Sequence, residues 1–291
     1  MAVLLRSFID LDARRRYSFD LDEDFGVAIV HETGESIELV VNDAVWHVRP
    51  KPRNMSLVDV KWHGRDRILL YLGDAVSVIA TKERWDEISL GWIDLVFTSK
   101  NYIFVTYGEE AVYSASSARK GDLEAYAMAV FSQKGDFLVG LATLFEETNE
   151  TQWIADVGSG YTRDDCMVFH GSEVDCLWHL DARTRRLKKL PVPFSTLCIE
   201  VLSGDDRKAF AIYDNRNLLR YQYHPDWPTF ELASFDLQSG AASKQDFGPV
   251  ETALLDAGFD MHAIRFRQSA SGRIIVADGV KAALLEISEA G

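Results

Sequence analysis

Two thiols and two imidazoles stand within fourteen residues in the stretch CMVFHGSEVDCLWH, at Cys166, His170, Cys176 and His179. These are the donors zinc prefers, and four of them could complete a tetrahedral site. Local geometry argues otherwise. On a strand, Cys166, Val168 and His170 share one face, whereas Cys176 and His179 are an odd number apart and point to opposite faces. The spacing also matches no familiar zinc module. No metal and no cofactor is expected, and Cys166 and Cys176 read as small core residues.

Other chemistry is weaker still. GSGY (158–161) begins like a glycine-rich phosphate loop, but Arg163 stands where the third glycine belongs, so a tight turn between strands is expected. No GxxxxGK[ST] and no GxSxG elbow occurs. Asp164-Asp165 and Asp205-Asp206 read as turn residues, and DLDEDF (20–25) as a solvated loop. Of the scattered histidines, His31, His63 and His170 fall near turns. They read as locally bonded turn residues, with a channel-mouth cluster as the rarer alternative.

Recognition has a better candidate. RYQYHPDWPTF (220–230) carries Tyr221, Tyr223, His224, Trp227 and Phe230, stiffened by Pro225 and Pro228. Tyr and Trp supply large contact area at small entropic cost, so these five residues form the expected partner-binding site.

The elements that must hold such residues are short strands. GVAIV/SIELVV, LVDVKW/RILLYL, IDLVFTS/YIFVTY, MAVFS/DFLVGLATLF, CIEVLS/KAFAIY and AIRFR/RIIVA are pairs of β-branched and aromatic runs joined by polar, glycine-containing turns. A short helix is expected only at 250–258 (VETALLDAG), and ERWDEISLGW (83–92) is ambiguous. Turns recur near 34, 64, 100, 135, 171, 204 and 272.

Many short strands with such a period resemble the β-propeller superfamily across the whole chain, without WD dipeptides or the kelch double glycine. The resemblance implies an all-β fold: one propeller domain over 1–291 with the 220–230 insertion in a late blade. Seven blades of about 42 residues are expected, six being the other choice. In CLWHLDARTRRLKKLPVP (176–193), Arg183, Arg185, Arg186, Lys188 and Lys189 read as the turn and outer strand of a blade, charged against edge-to-edge pairing. FELASFDLQSGAASKQDFGP (230–249) has the same form. The last unit ends without an outer strand, and FIDLDARRRYSF (8–19) has the form of the missing piece. The N-terminal strand is therefore expected to close the ring against the C-terminal blade.

Composition bounds the function. With 45 acidic against 31 basic residues the net charge is −14, which disfavours nucleic acid and anionic membrane and reads first as a solubility device, with a basic protein partner as the other reading. Three cysteines without a CxxC pair, no signal-peptide pattern and no membrane-length apolar run point to a cytoplasmic protein. The expected function is a non-catalytic, monomeric protein-binding adaptor, or an inhibitor or immunity-type protein. The rival is a propeller hydrolase or lyase with a metal or carboxylate site at the central channel.

Overall fold

The computed structural model describes residues 2–11, 17–51, 59–73, 76–108, 127–148, 154, 157–171, 176–191, 199–205, 207–216, 229–270 and 272–288. Among these, six four-stranded antiparallel sheets form the blades of a β-propeller. Six is the smaller of the two numbers the sequence allowed. First strands begin at residues 17, 59, 96, 157, 199 and 265, so blades 3 and 5 carry long excursions that an even division of the chain spreads into a seventh blade.

Blade 1 comprises β2 (Tyr17–Asp22), β3 (Gly26–Thr33), β4 (Ser36–Val41) and β5 (Ala44–Pro50), and blade 2 comprises β6 (Asp59–Trp62), β7 (Ile68–Tyr71), β8 (Val76–Ala80) and β9 (Trp85–Ser89). Blade 3 comprises β10 (Val96–Thr98), β11 (Tyr102–Thr106), β12 (Met128–Ser132) and β13 (Phe137–Gly140). Blade 4 comprises β14 (Val157–Arg163), β15 (Cys166–Gly171), β16 (Cys176–Asp181) and β17 (Arg186–Pro191). Blade 5 comprises β18 (Ile199–Gly204), β19 (Lys208–Asp214), β20 (Phe230–Asp236) and β21 (Ala242–Gln245). Blade 6 takes β22 (Arg265–Gln268), β23 (Ile274–Ala277) and β24 (Lys281–Ser288) from the C-terminal end, and its outer strand is β1 (Ala2–Asp10).

The ring thus closes by pairing the two chain ends, Ala2 with Ser288 through Asp10 with Lys281, as the sequence implied. The piece differs from the expected one: the segment 8–19 divides between the end of β1 and the start of β2. Arg6, Glu23, Arg273 and Glu286 form an ion-pair quartet over this seam.

Among the described residues the apolar core is divided into six clusters, one at each junction between neighbouring blades. The run ILLY shows why. In β7, Ile68 and Leu70 face blade 1, while Leu69 and Tyr71 face blade 3. A strand buried on both faces must be apolar at every position, so its period of two disappears from the sequence.

The RRLKK segment is the last turn residue, Arg185, and the start of β17, the outer strand of blade 4. Three of its four cations are tied to neighbours. Arg185 pairs with Glu147, the Lys188 ammonium donates to the Leu237 carbonyl at 3.1 Å, and Lys189 lies over the Trp178 ring. In blade 5 the strand over AlaSerLysGln (β21) has the same outer place.

Two segments differ from expectation. GSGY belongs to β14 and makes no turn. Gly160 is required there because a Cβ would meet the Val168 carbonyl oxygen at 2.9 Å. LATLFEET forms helix α1 (Leu141–Thr148), burying Leu141, Leu144 and Phe145 against blades 3 and 4; an apolar run this short does not distinguish strand from helix by pattern alone. Helix α2 (Gly248–Asp256) matches the expected helix, and ERWDEISLGW contributes β9.

Candidate functional site

The six first strands, β2, β6, β10, β14, β18 and β22, surround the axis, and each leaves one backbone edge without a strand partner. Such an edge must find hydrogen bonds elsewhere. Side chains of adjacent blades provide them all the way round. The Trp62 N–H donates to Asp20 Oδ2 at 2.9 Å, and the Thr98 hydroxyl donates to the Trp62 carbonyl at 2.5 Å. The Thr162 hydroxyl donates to the Thr98 carbonyl at 2.6 Å, and the Leu202 N–H donates to Ser159 Oγ at 3.1 Å. The Gln268 amide donates to the Leu202 carbonyl at 3.1 Å, and the Ala270 N–H returns to Asp20 Oδ2 at 3.2 Å. Every junction holds at least one such bond, so the belt is complete.

Asp20 serves two junctions and is fully buried, with Lys61 and Arg267 nearby. Lys61 donates to the Gln268 carbonyl at 2.6 Å, and the Arg267 guanidinium lies 3.8 Å over the Phe19 ring. Burial outweighs these cations and pushes the Asp20 carboxyl up to about 6. DLDEDF is therefore no solvated loop at its start. Asp22 is also buried, and its Oδ1 accepts from the Asp24 and Phe25 N–H groups. The alternation Ser18, Asp20, Asp22 against Phe19, Leu21 is a strand signal that the charges concealed.

Where the first strands end and turn into the second, the channel opens into a cavity of about 800 Å³. Arg65 and Arg67 of the β6–β7 turn, Lys100 of the β10–β11 turn, Arg163 at the end of β14 and Arg273 of the β22–β23 turn line it. Asp22, Glu23, Asp24 and Asp164 are the acids of the wall, and Phe25 and Trp62 supply an aromatic side with ring centroids 5.5 Å apart. Gln133 Oε1 accepts from the Arg67 guanidinium at 2.6 Å, fixing it toward blade 3. Sequence reasoning did not find these cations, because they come from four blades and meet only through the ring.

The histidines do not gather at one mouth. His63 follows the end of β6, beside the cavity, and its Nε2 lies 3.1 Å from the Gln133 carbonyl oxygen, whereas His31 and His170 sit toward the other end of their strands. Burial pushes both His63 and His170 down to about 4. A histidine neutral in the fold but protonated when unfolded costs stability as pH falls below its unfolded value of 6.5. Each contributes about 3 kcal/mol between pH 6.5 and 4. Asp20 acts oppositely: its raised value gives stability that is full below pH 4 and lost as pH rises through about 6. Urea midpoints should therefore fall on acidification from pH 6.5 to 4, and His170→Leu should flatten that fall. An unchanged profile in that variant would contradict the assignment.

Cys166 and Cys176 sit at opposite ends of the β15–β16 hairpin, opposite Asp181 and Pro191 of their respective neighbours. Among the described residues no three His, Cys, Asp or Glu side chains come together to hold a metal ion. Tyr221, Tyr223, His224, Trp227 and Cys198 lie outside the described residues. Phe230 opens β20 and is buried, stacked on Phe247 and edge-on to Phe266, with the Arg216 guanidinium 5.0 Å above its ring. Arg216 also pairs with Asp214 and donates to the carbonyls of His262 and Ile264, and the Asn215 N–H donates to the Thr229 carbonyl at 2.9 Å. Residues 214–216 and 229–230 are thus held to one another and to the residues preceding β22.

No family model matches the chain, and no curated protein is similar to it in sequence. Solved structures share its fold. Hsv2 of Kluyvelomyces marxianus is similar at 12% identity and a TM-score of 0.50, over 92% of this chain and 73% of that one. The WD40 β-propeller domain of Doa1 is similar at 8% identity and a TM-score of 0.50, over 94% of this chain and 78% of that one. Among the described residues no helix is long and apolar enough to cross a membrane.

Proposed function

We propose that this chain is a non-catalytic propeller that binds a protein partner through the 220–230 segment, acting as an adaptor or as an inhibitor of that partner. The observation that carries the reading is the belt. The channel's polar side chains, from which a propeller hydrolase or lyase would draw its acid and base, are engaged in holding the first strands together: Asp20, Thr98, Ser159, Thr162 and Gln268. A ring so committed is a rigid platform, and its chemistry of contact lies in what the loops present.

The 220–230 segment suits that role. Tyr221, Tyr223, His224 and Trp227 offer aromatic surface, and Phe230 anchors the segment from the core. Its base is fixed by Arg216 on Asp214 and on the carbonyls near β22, which lowers the entropy lost on docking. The net charge of −14 favours a basic partner by steering, and the protein acts as a cytoplasmic monomer. Purified tagged protein should capture one dominant partner from its host. Trp227→Ala and Tyr223→Ala should each reduce that capture about tenfold, the loss expected of a hot-spot aromatic. Folded variants that capture it undiminished would end the assignment.

A further inference from the structure

We propose that the cavity at the first-turn end of the channel is a second binding site, one that receives an acidic peptide segment. It lies at the opposite end of the blades from the end of β19 and the start of β20, and none of its lining residues comes from 220–230, so it stands or falls independently of that assignment.

Three observations converge. The volume, about 800 Å³, is that of a pocket for a ligand of a few residues. Its cations outnumber its acids, Arg65, Arg67, Lys100, Arg163 and Arg273 against Asp22, Glu23, Asp24 and Asp164, in a chain where acids exceed bases by fourteen. The acids are partly spent. Asp22 caps its own turn, and Glu23 is engaged by Arg6 and Arg273, which takes Arg273 out of the count as well and leaves Arg65, Arg67, Lys100 and Arg163 against Asp24 and Asp164. Arg65 and Lys100 are exposed and have no ion-pair or hydrogen-bond partner among the described residues.

The layout selects the ligand's shape. Arg65, Arg67, Lys100 and Arg163 come from the consecutive blades 2, 3 and 4, forming a cationic arc that also holds Asp164, while Asp24 and Phe25 of the adjoining blade 1 border it on the blade 2 side. Arg67 is oriented by Gln133 before any ligand arrives. An arc of guanidinium and ammonium groups recognises several carboxylates spaced along a chain better than one compact anion. A low-dielectric concavity also strengthens that field relative to the open surface.

The test uses a fluorescein-labelled hexaglutamate peptide and the full chain, read by fluorescence anisotropy. Saturable binding that weakens at least tenfold in Arg65→Ala/Lys100→Ala is expected. The same charge change at Arg183→Ala/Arg186→Ala, on the outer edge of blade 4, should leave binding within twofold of wild type. All four positions are exposed, so the variants should keep the wild-type melting temperature. No saturable binding, equal weakening by both double variants, or tighter binding of labelled hexalysine would overturn the proposal. Displacement of the peptide by inorganic phosphate at matched charge concentration would also overturn it, in favour of a small-anion site.

Discussion

Replacing Asp20 with alanine is expected to destabilise the protein by about 4 kcal/mol at pH 7, the cost of breaking a buried ionic cluster by removing one partner. Three N–H groups lose their acceptor at once, those of Leu21, Trp62 and Ala270. Lys61 and Arg267 lose a buried counter-charge, leaving Asp59 as the nearby acid. Two blade junctions are opened, 1 to 2 and 6 to 1. Asp20→Asn should be far milder, about 1–2 kcal/mol. One oxygen, Oδ2, accepts both cross-blade bonds, so an amide oxygen in its place keeps them. The amide variant also removes the proton that Asp20 gains near pH 6, and with it about 3 kcal/mol of compensation on acidification. Its urea midpoint should therefore fall more steeply than wild type between pH 6 and 4. A parallel profile would show that Asp20 does not titrate there.

Removing residues 2–10 should have an effect as large by another route. β1 pairs along its backbone with β24, and it also covers part of the cluster between blades 5 and 6 through Val3 and Leu5. Without it, β24 becomes an open edge and the seam quartet loses Arg6. The expected result is a melting temperature lower by roughly 10 °C, a broadened transition and concentration-dependent association. A synthetic peptide of residues 2–10 added in excess should restore much of the loss, because a strand vacancy in a sheet can be filled in trans. A truncated protein that melts like wild type would mean that the ring is held without its closing strand.

Much of the architecture was readable from hairpins, because glycine and polar residues must stand where chains reverse and β-branched residues where they do not. GVAIV/SIELVV and CIEVLS/KAFAIY are such pairs, and both are adjacent strands here. The outer place of β17 was readable for a related reason: only an outer strand can carry so many charges. What stayed hidden depended on the third dimension. Asp20 and Asp22 look solvated in DLDEDF, and only a neighbouring blade's backbone edge explains their burial. Blade number was obscured because long connections in blades 3 and 5 imitate an extra repeat. The mouth cations were out of reach. Arg65, Lys100 and Arg273 are ordinary turn residues until six turns are brought round one axis.

Under the proposed function, the channel's polar groups build the ring while the 220–230 segment does the binding. Capture of the dominant host partner, measured beside the melting temperature, separates these roles in one experiment. Asp20→Asn should lower the melting temperature and capture as much partner as wild type, whereas Trp227→Ala should melt like wild type and capture about tenfold less. The reverse pattern, binding lost with Asp20 and kept without Trp227, would contradict the account and move the functional site into the channel.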